Sequence, residues 1–356
     1  MGPRTAVGTV LQSDQAGGQA GRDRCAQLPS PGPGRPPELI MRIVLDYGDD
    51  VLRGIRFAAV PATVAFVALL AASCASTAPS RAGSGTRITV VAAENFWGSI
   101  AAQLGGARVQ VHSLITSPNT DPHAYEPTPA DARTIAEADF VIENGIGYDP
   151  WASKMLAADP THGRVLDVGR LLGARDGGNP HFWYDPADVQ RVIEAITAAY
   201  RQLDPADRAY FTARSSWFTS VALSRYHSLI STIRAEYAGT PVGASESIFS
   251  MLAPSLGLDL VTPSSFLTAI SEGTDVSSAD KQLIDSQITT HRIKIYIYNS
   301  QNTTPDVQVQ LHECRNAGIP TATITETLDP AGDTYQAWQV SELLGIQRAL
   351  RKATGH

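Results

Sequence analysis

Two short phrases hold the residues best able to do chemistry. Asp121-Pro122-His123-Ala124-Tyr125-Glu126-Pro127 and Asn179-Pro180-His181-Phe182-Trp183-Tyr184-Asp185-Pro186 share a Pro-His start and an aromatic-acid-proline close. A single histidine in a proline-rich loop is ordinarily a surface or packing residue. Two in matching phrases suggest a common task. Candidate carboxylates are Glu246, in Ser245-Glu246-Ser247, and Glu326, in Glu326-Thr327-Leu328-Asp329. Two imidazoles with one or two carboxylates combine neutral nitrogen and anionic oxygen, the donors a borderline or hard divalent cation takes. Each acid also has a blander reading. Glu246 could cap a helix beginning near Ile248, where negative charge is favourable. Glu326 could be an exposed acid at a strand end.

Signals for catalysis are weak. The Ser245 phrase lacks the G-x-S-x-G elbow, and no His-x-x-x-His pair, P-loop or dinucleotide glycine pattern occurs. His112, His162, His227, His291, His312 and His356 are scattered without partners. The three cysteines, Cys25, Cys74 and Cys314, form no C-x-x-C pair, which argues against a disulfide framework or a thiolate zinc site. Cys314 reads as a packed thiol on a helix. A net charge of −7 without a Lys/Arg cluster argues against a nucleic-acid partner.

The elements that must position these residues alternate. With 356 residues, 43% hydrophobic and 18% charged, the chain has room for two ordinary globular domains. In the first half, β-branched runs at 88–94, 109–115, 140–144 and 165–168 read as strands. Helical spacing separates them at 96–104, from 128 to about 138, and after 149. Thr128-Pro129-Ala130-Asp131 and Asp185-Pro186-Ala187-Asp188 are cap-proline-acid helix starts. Residues 205–237 contain no internal Pro or Gly after Pro205 and predict one uninterrupted helix, roughly 45 Å long at 1.5 Å per residue. Its apolar positions include Phe211, Trp217, Val221, Leu223, Tyr226, Leu229 and Ile233. Beyond Gly239 the alternation restarts, with strands at 241–245, 258–263, 292–298 and 321–327 and helices at 248–252, 278–290, 305–317 and 334–353. The expectation is an α/β protein of two lobes. Each lobe has a mostly parallel sheet flanked by helices, and one long rigid helix joins them. The lobes span 87–204 and 239–356, with the linking helix at 205–238. Ligands of such sheets bind beyond the strands' carboxyl ends, which is where His123, His181, Glu246 and Glu326 all fall.

The preceding residues carry other signals. Residues 1–50 are a leader, of which 1–40 are rich in Gly, Pro, Arg and Gln and poor in large apolar side chains. They are expected to be disordered, and translation could start at Met41 or Val51. Arg53 and Arg56 precede an apolar run at 57–73, short of the roughly 20 residues a spanning helix needs. Leu69-Leu70-Ala71-Ala72-Ser73-Cys74 resembles a bacterial lipobox, which makes 51–74 a signal peptide and Cys74 a lipidated first residue. The alternative is an uncleaved anchor helix. Residues 75–86 read as a flexible tether.

The span from residue 88 to 350 resembles the metal-binding receptors of bacterial ABC importers for zinc and manganese. The two histidine phrases are similar to that family's first- and second-ligand motifs, and Ala138-Asp139-Phe140-Val141-Ile142-Glu143-Asn144-Gly145 to the strand between them. The resemblance implies a fold of two α/β lobes on one long helix with the metal between them. Its implied ligands are His123, His181, Glu246 and a fourth acid. Thr325-Glu326-Thr327-Leu328 best overlays the family phrase that carries aspartate, which gives Glu326 the fourth role with Asp329 as competitor. Glutamate where zinc-type members carry histidine favours Mn²⁺ over Zn²⁺, although raw affinity runs toward zinc. Asn119, Asp121, Tyr125 and Asn299 are expected to orient the ligands. Because an imidazole must be neutral to ligate, binding is expected to weaken below about pH 6. The implied protein is a monomeric, non-enzymatic lipoprotein on the outer face of the cytoplasmic membrane that hands its ion to an ABC permease. The rival reading is a secreted zinc-dependent hydrolase using the same cluster, which would keep one position open for water. An organic-ligand receptor would instead show an apolar, aromatic-lined cleft.

Overall fold

The computed structural model describes residues 87–355. The expectations for the leader, the signal peptide, Cys74 and the tether lie outside the described residues. Among those described, no helix is long and apolar enough to cross a membrane.

Two four-stranded sheets carry the fold. The first contains β1 (Ile88–Glu94), β2 (Val109–Ile115), β3 (Phe140–Glu143) and β4 (Arg164–Asp167), in the order β2-β1-β3-β4. The second contains β5 (Pro241–Ala244), β6 (Asp259–Leu260), β7 (Ile295–Asn299) and β8 (Thr321–Ile324), in the order β6-β5-β7-β8. Every pairing is parallel, so the second sheet repeats the first strand for strand. The central β1 and β3 are buried on both faces, and their sequences, ITVVAAE and FVIE, are correspondingly apolar. On the edge strand β2, Gln110 and His112 face solvent.

This order has a functional consequence. In each sheet the chain moves to one side of its first strand and then to the other. A crevice therefore opens at the carboxyl ends of β1 and β3, and likewise of β5 and β7. The helix starts behave as their sequences imply. Thr128 and Asp131 form a reciprocal capping box, and the Asp185 carboxylate accepts from Ala187 N and Asp188 N.

Two expectations need correction. The strand expected over 258–263 is only Asp259–Leu260, and the chain turns into a helix, Ser264–Ser271, which places Phe266, Leu267 and Ile270 in the core. The linking segment is helical but not uniform. A 3₁₀ turn at Pro205–Asp207 leads to an α-helix at Arg208–Trp217, a π turn at Phe218–Ala222 and a second α-helix at Ser224–Tyr237. Leu223 N–H bonds Phe218 O, five residues back, at 2.9 Å. The extra residue rephases the apolar face. Phe211, Phe218, Leu223, Tyr226, Leu229 and Ile233 are buried, whereas Trp217 and Val221 remain 41% and 56% exposed. The Arg214 guanidinium lies over the Trp217 ring, 4.6 Å from its centroid.

Candidate metal centre

The two histidine phrases fold into the same local turn. In the first, His123 N–H donates to Asp121 Oδ1 at 2.9 Å; in the second, His181 N–H donates to Asn179 Oδ1 at 3.1 Å. An Asx side chain accepting from the backbone two residues on, with proline between, fixes the chain direction and presents the histidine.

The His181 ring is wholly buried, and its Nδ1 lies 2.6 Å from the same Asn179 oxygen. That oxygen is identified by its own amide nitrogen, which donates to Ser247 O at 2.7 Å and Ser250 Oγ at 2.9 Å. Since an amide oxygen only accepts, Nδ1 carries the hydrogen and Nε2 presents a lone pair. Nε2 has no hydrogen-bond partner and stands 3.5 Å from Glu326 Oε1. Burial lowers the imidazole to about 4, against an opposing pull from the Glu246 carboxylate. His181 is therefore a neutral donor throughout the physiological range, and the weakening expected below about pH 6 does not come from this ring.

Glu326 follows β8 and is buried, not an exposed strand-end acid. Its backbone N–H and that of Thr327 both donate to Gln301 Oε1, which ties the loop to the one after β7. Asp329 is exposed and lies off the cleft wall, so the geometry separates the two competing acids. Glu246 does not cap its helix, which has no side-chain cap. Its oxygens accept from Asn299 Nδ2 at 2.5 Å and Asn302 Nδ2 at 2.8 Å. Burial raises both carboxyls well above their ordinary range; Glu326 repels Glu246 further, while His123 draws Glu326 down. Two buried carboxylates that repel each other beside a bare imidazole nitrogen form an electrostatic deficit that a divalent cation offsets.

A cavity of about 800 Å³ opens over this floor, lined by His123, His181 and Glu326 together with Asn299, Asn302 and Ser271. Glu246 lies beneath its two asparagines and not on the wall. Among the described residues no three His, Cys, Asp or Glu side chains stand close enough to form a ready metal-holding group.

Of the expected orienting residues, Asn299 holds Glu246, and Asp121 holds the His123 backbone. Tyr125 does neither: its hydroxyl donates to Asp131 at 3.0 Å, within the capping box, and its ring packs on Trp151. Asn119 lines the cavity. Sequence reasoning missed Asn179, Asn302 and Tyr148. Tyr148 is fully buried, with ring contacts to His123 at 4.7 Å and His181 at 6.0 Å. Its turn is held by Asp149, which accepts from Asn144 N and Gly145 N at 2.7 and 2.8 Å. Gly145 there has φ +78°, and a Cβ would come within 2.3 Å of Asp167 Oδ1, so only glycine fits. The repeated Asx-Pro-His pattern is the signal that could have found Asn179.

The fold and the cleft together define a two-lobed protein whose His181 and Glu326 loops meet across the crevice. Residues 90–349 match the family model of the zinc-uptake complex component A, periplasmic (ZnuA), and the chain belongs to that family. The manganese-binding lipoprotein MntA of Halalkalibacterium halodurans is 25% identical over 203 residues, 55% of this chain and 66% of that protein. The metal ABC transporter substrate-binding lipoprotein SloC of Streptococcus mutans is 25% identical over 288 residues, 72% of this chain and 89% of its own length. A solved structure of a Mn-bound mutant of a periplasmic metal-binding protein from Candidatus Liberibacter asiaticus matches 74% of this chain and all of its own. Its TM-score is 0.64 at 19% identity, a likeness of fold.

Proposed function

We propose that this protein is the extracytoplasmic receptor of a metal importer. It captures Mn²⁺ or Zn²⁺ as cargo in the cleft between its lobes, with His123, His181, Glu246 and Glu326 as ligands. The observation that carries this reading is the unpartnered His181 Nε2, 3.5 Å from Glu326 on the floor of the shared cavity. Two imidazoles and two carboxylates neutralise a divalent ion almost completely, and the carboxylate share inclines the set toward manganese. The names of the relatives, which include both metals and the word lipoprotein, support the cargo and the compartment.

In this reading residues 1–50 precede a signal peptide at 51–74, and Cys74 carries the lipid that holds the protein at the outer face of the cytoplasmic membrane. A tether at 75–86 leads to the lobes at 87–204 and 239–356, which the helix at 205–238 connects. The receptor acts as a monomer, performs no catalysis and passes its ion to an ABC permease. Elemental analysis of the full chain purified without chelator tests the site. Wild type should carry a divalent transition metal, and His123→Ala and Glu246→Ala should carry less. Undiminished metal in both variants would refute the ligand assignment.

A further inference from the structure

Glu342, on the closing helix Tyr335–Thr354, is a buried acid that touches none of the four proposed ligands. It touches two of the loops that bear them, those of His181 and Glu326. Its Oε2 is 2.7 Å from the hydroxyl of Tyr184, three residues beyond His181. Its Oε1 is 3.0 Å from Oγ1 of Thr325, the residue immediately before Glu326. The Tyr184 hydroxyl also lies 2.7 Å from Thr325 O and accepts from Thr325 N at 3.3 Å. One turn earlier on the same helix, Trp338 Nε1 donates to Thr325 Oγ1 at 2.8 Å. At the helix start, the Tyr335 hydroxyl donates to Trp183 O at 2.7 Å. A single helix thus grips the His181 loop of one lobe and the Glu326 loop of the other.

Counting hydrogens identifies the form of Glu342. Three short O···O contacts join Tyr184, Thr325 and Glu342, but the two hydroxyls bring only two hydrogens. Thr325 Oγ1 must also serve the Thr327 carbonyl at 2.9 Å. A carboxyl proton brings three hydrogens to these four contacts: Tyr184 donates to Thr325 O, Glu342 donates to the Tyr184 oxygen, and the one hydrogen on Thr325 Oγ1 is shared between the remaining Glu342 oxygen and the Thr327 carbonyl. Burial pushes the Glu342 carboxyl up to about 8, which agrees with that count.

We propose that Glu342 is a positioning residue for cargo capture. Acting through Tyr184 and Thr325, it fixes the spacing of His181 and Glu326 across the lobes and thereby sets the affinity and coordination geometry of the metal. The inference rests on the metal-receptor reading of that cleft. A glutamine at 342 reproduces the protonated acid, since its amide nitrogen donates to Tyr184 and its oxygen accepts from Thr325. A leucine cannot do either. Tyr184→Phe removes the bridging hydroxyl with almost no change in volume.

The test uses chelator-stripped full-length protein. Mn²⁺ and Zn²⁺ binding is measured by calorimetry, Co²⁺ coordination by visible absorption, and folding by thermal melts. Glu342→Leu and Tyr184→Phe should lose about tenfold or more in metal affinity and alter the Co²⁺ bands, as loss of an outer support does. Glu342→Gln should restore wild-type affinity and bands. Folded Tyr184→Phe and Glu342→Leu proteins with wild-type affinity and an unchanged Co²⁺ spectrum would overturn the positioning role. A Gln variant as defective as the Leu variant would overturn the hydrogen count on which that role is built. A wild type that takes up no metal, or a His181→Ala variant that binds as tightly as wild type, would instead overturn the receptor reading itself.

Discussion

His123 and His181 sit in near-identical phrases on the same Asx turn, yet their surroundings are opposite. His123 is exposed, on a loop after an edge strand, with its ring set against Tyr148. His181 is wholly buried, and Asn179 holds its ring while reaching into the second lobe. One side-chain difference accounts for much of this. Aspartate at 121 can only accept, whereas asparagine at 179 accepts from the histidine and donates to Ser247 and Ser250 at once. The contrast divides the cleft into a preorganised floor, made by His181, Glu326 and the Glu246 clamp, and an open side that carries His123. Preorganised donors spend less ordering energy on binding, so the two histidines should contribute unequally.

The largest effect is expected in the support under the His181 half. Glu342 has a folded-state carboxyl at about 8, against about 4.3 in an unfolded chain. A raised folded-state value favours the protonated folded form. Its stability contribution is therefore complete below about pH 4 and disappears as pH rises through about 8. That amounts to on the order of 4 kcal/mol between about pH 5 and 9, and Glu342→Gln should flatten the slope in urea unfolding. An unaltered slope would detach the acid from the floor.

Next come the four proposed ligands. An apparent binding energy on the order of 10 kcal/mol shared by four ligands leaves about 2–3 kcal/mol each, so His181→Ala should weaken Mn²⁺ or Zn²⁺ binding roughly a hundredfold by calorimetry. His123→Ala should lose less, about 2 kcal/mol or roughly thirtyfold, because water can reach the vacated position on the open side. Equal losses would erase the distinction between floor and open side. The smallest effect isolates the Asx residues. Asn179→Asp keeps the turn but removes both interlobe donors, and should reduce affinity about tenfold. Asp121→Asn, tested in the same titration, should change it only a few-fold.

Much of this was legible in the sequence because it is local. Strand-helix alternation comes from β-branched runs and cap-proline-acid starts, and these located both sheets and the loops that carry His123, His181, Glu246 and Glu326. What stayed hidden is paired over long distances. The Asn179 amide reaches Ser247, 68 positions away, and Tyr184 reaches Glu342, 158 positions away; no spacing rule exposes such partners. Tyr125 misled for the converse reason. It lies beside His123 in sequence, but a nearer acceptor, Asp131, takes its hydroxyl. The π turn was hidden because a helix-period pattern tolerates one inserted residue. The Leu223 N–H to Phe218 O bond and the burial of Phe218 in place of Trp217 and Val221 reveal it.

The central claim, a cage of protein ligands closed on a transported ion, is tested most directly by X-ray absorption at the metal edge of the loaded full-length protein. The expected first shell is two imidazole nitrogens and oxygens from two carboxylates, with no solvent ligand. A shell of fewer than three protein donors completed by water would contradict it and would favour a hydrolytic centre instead.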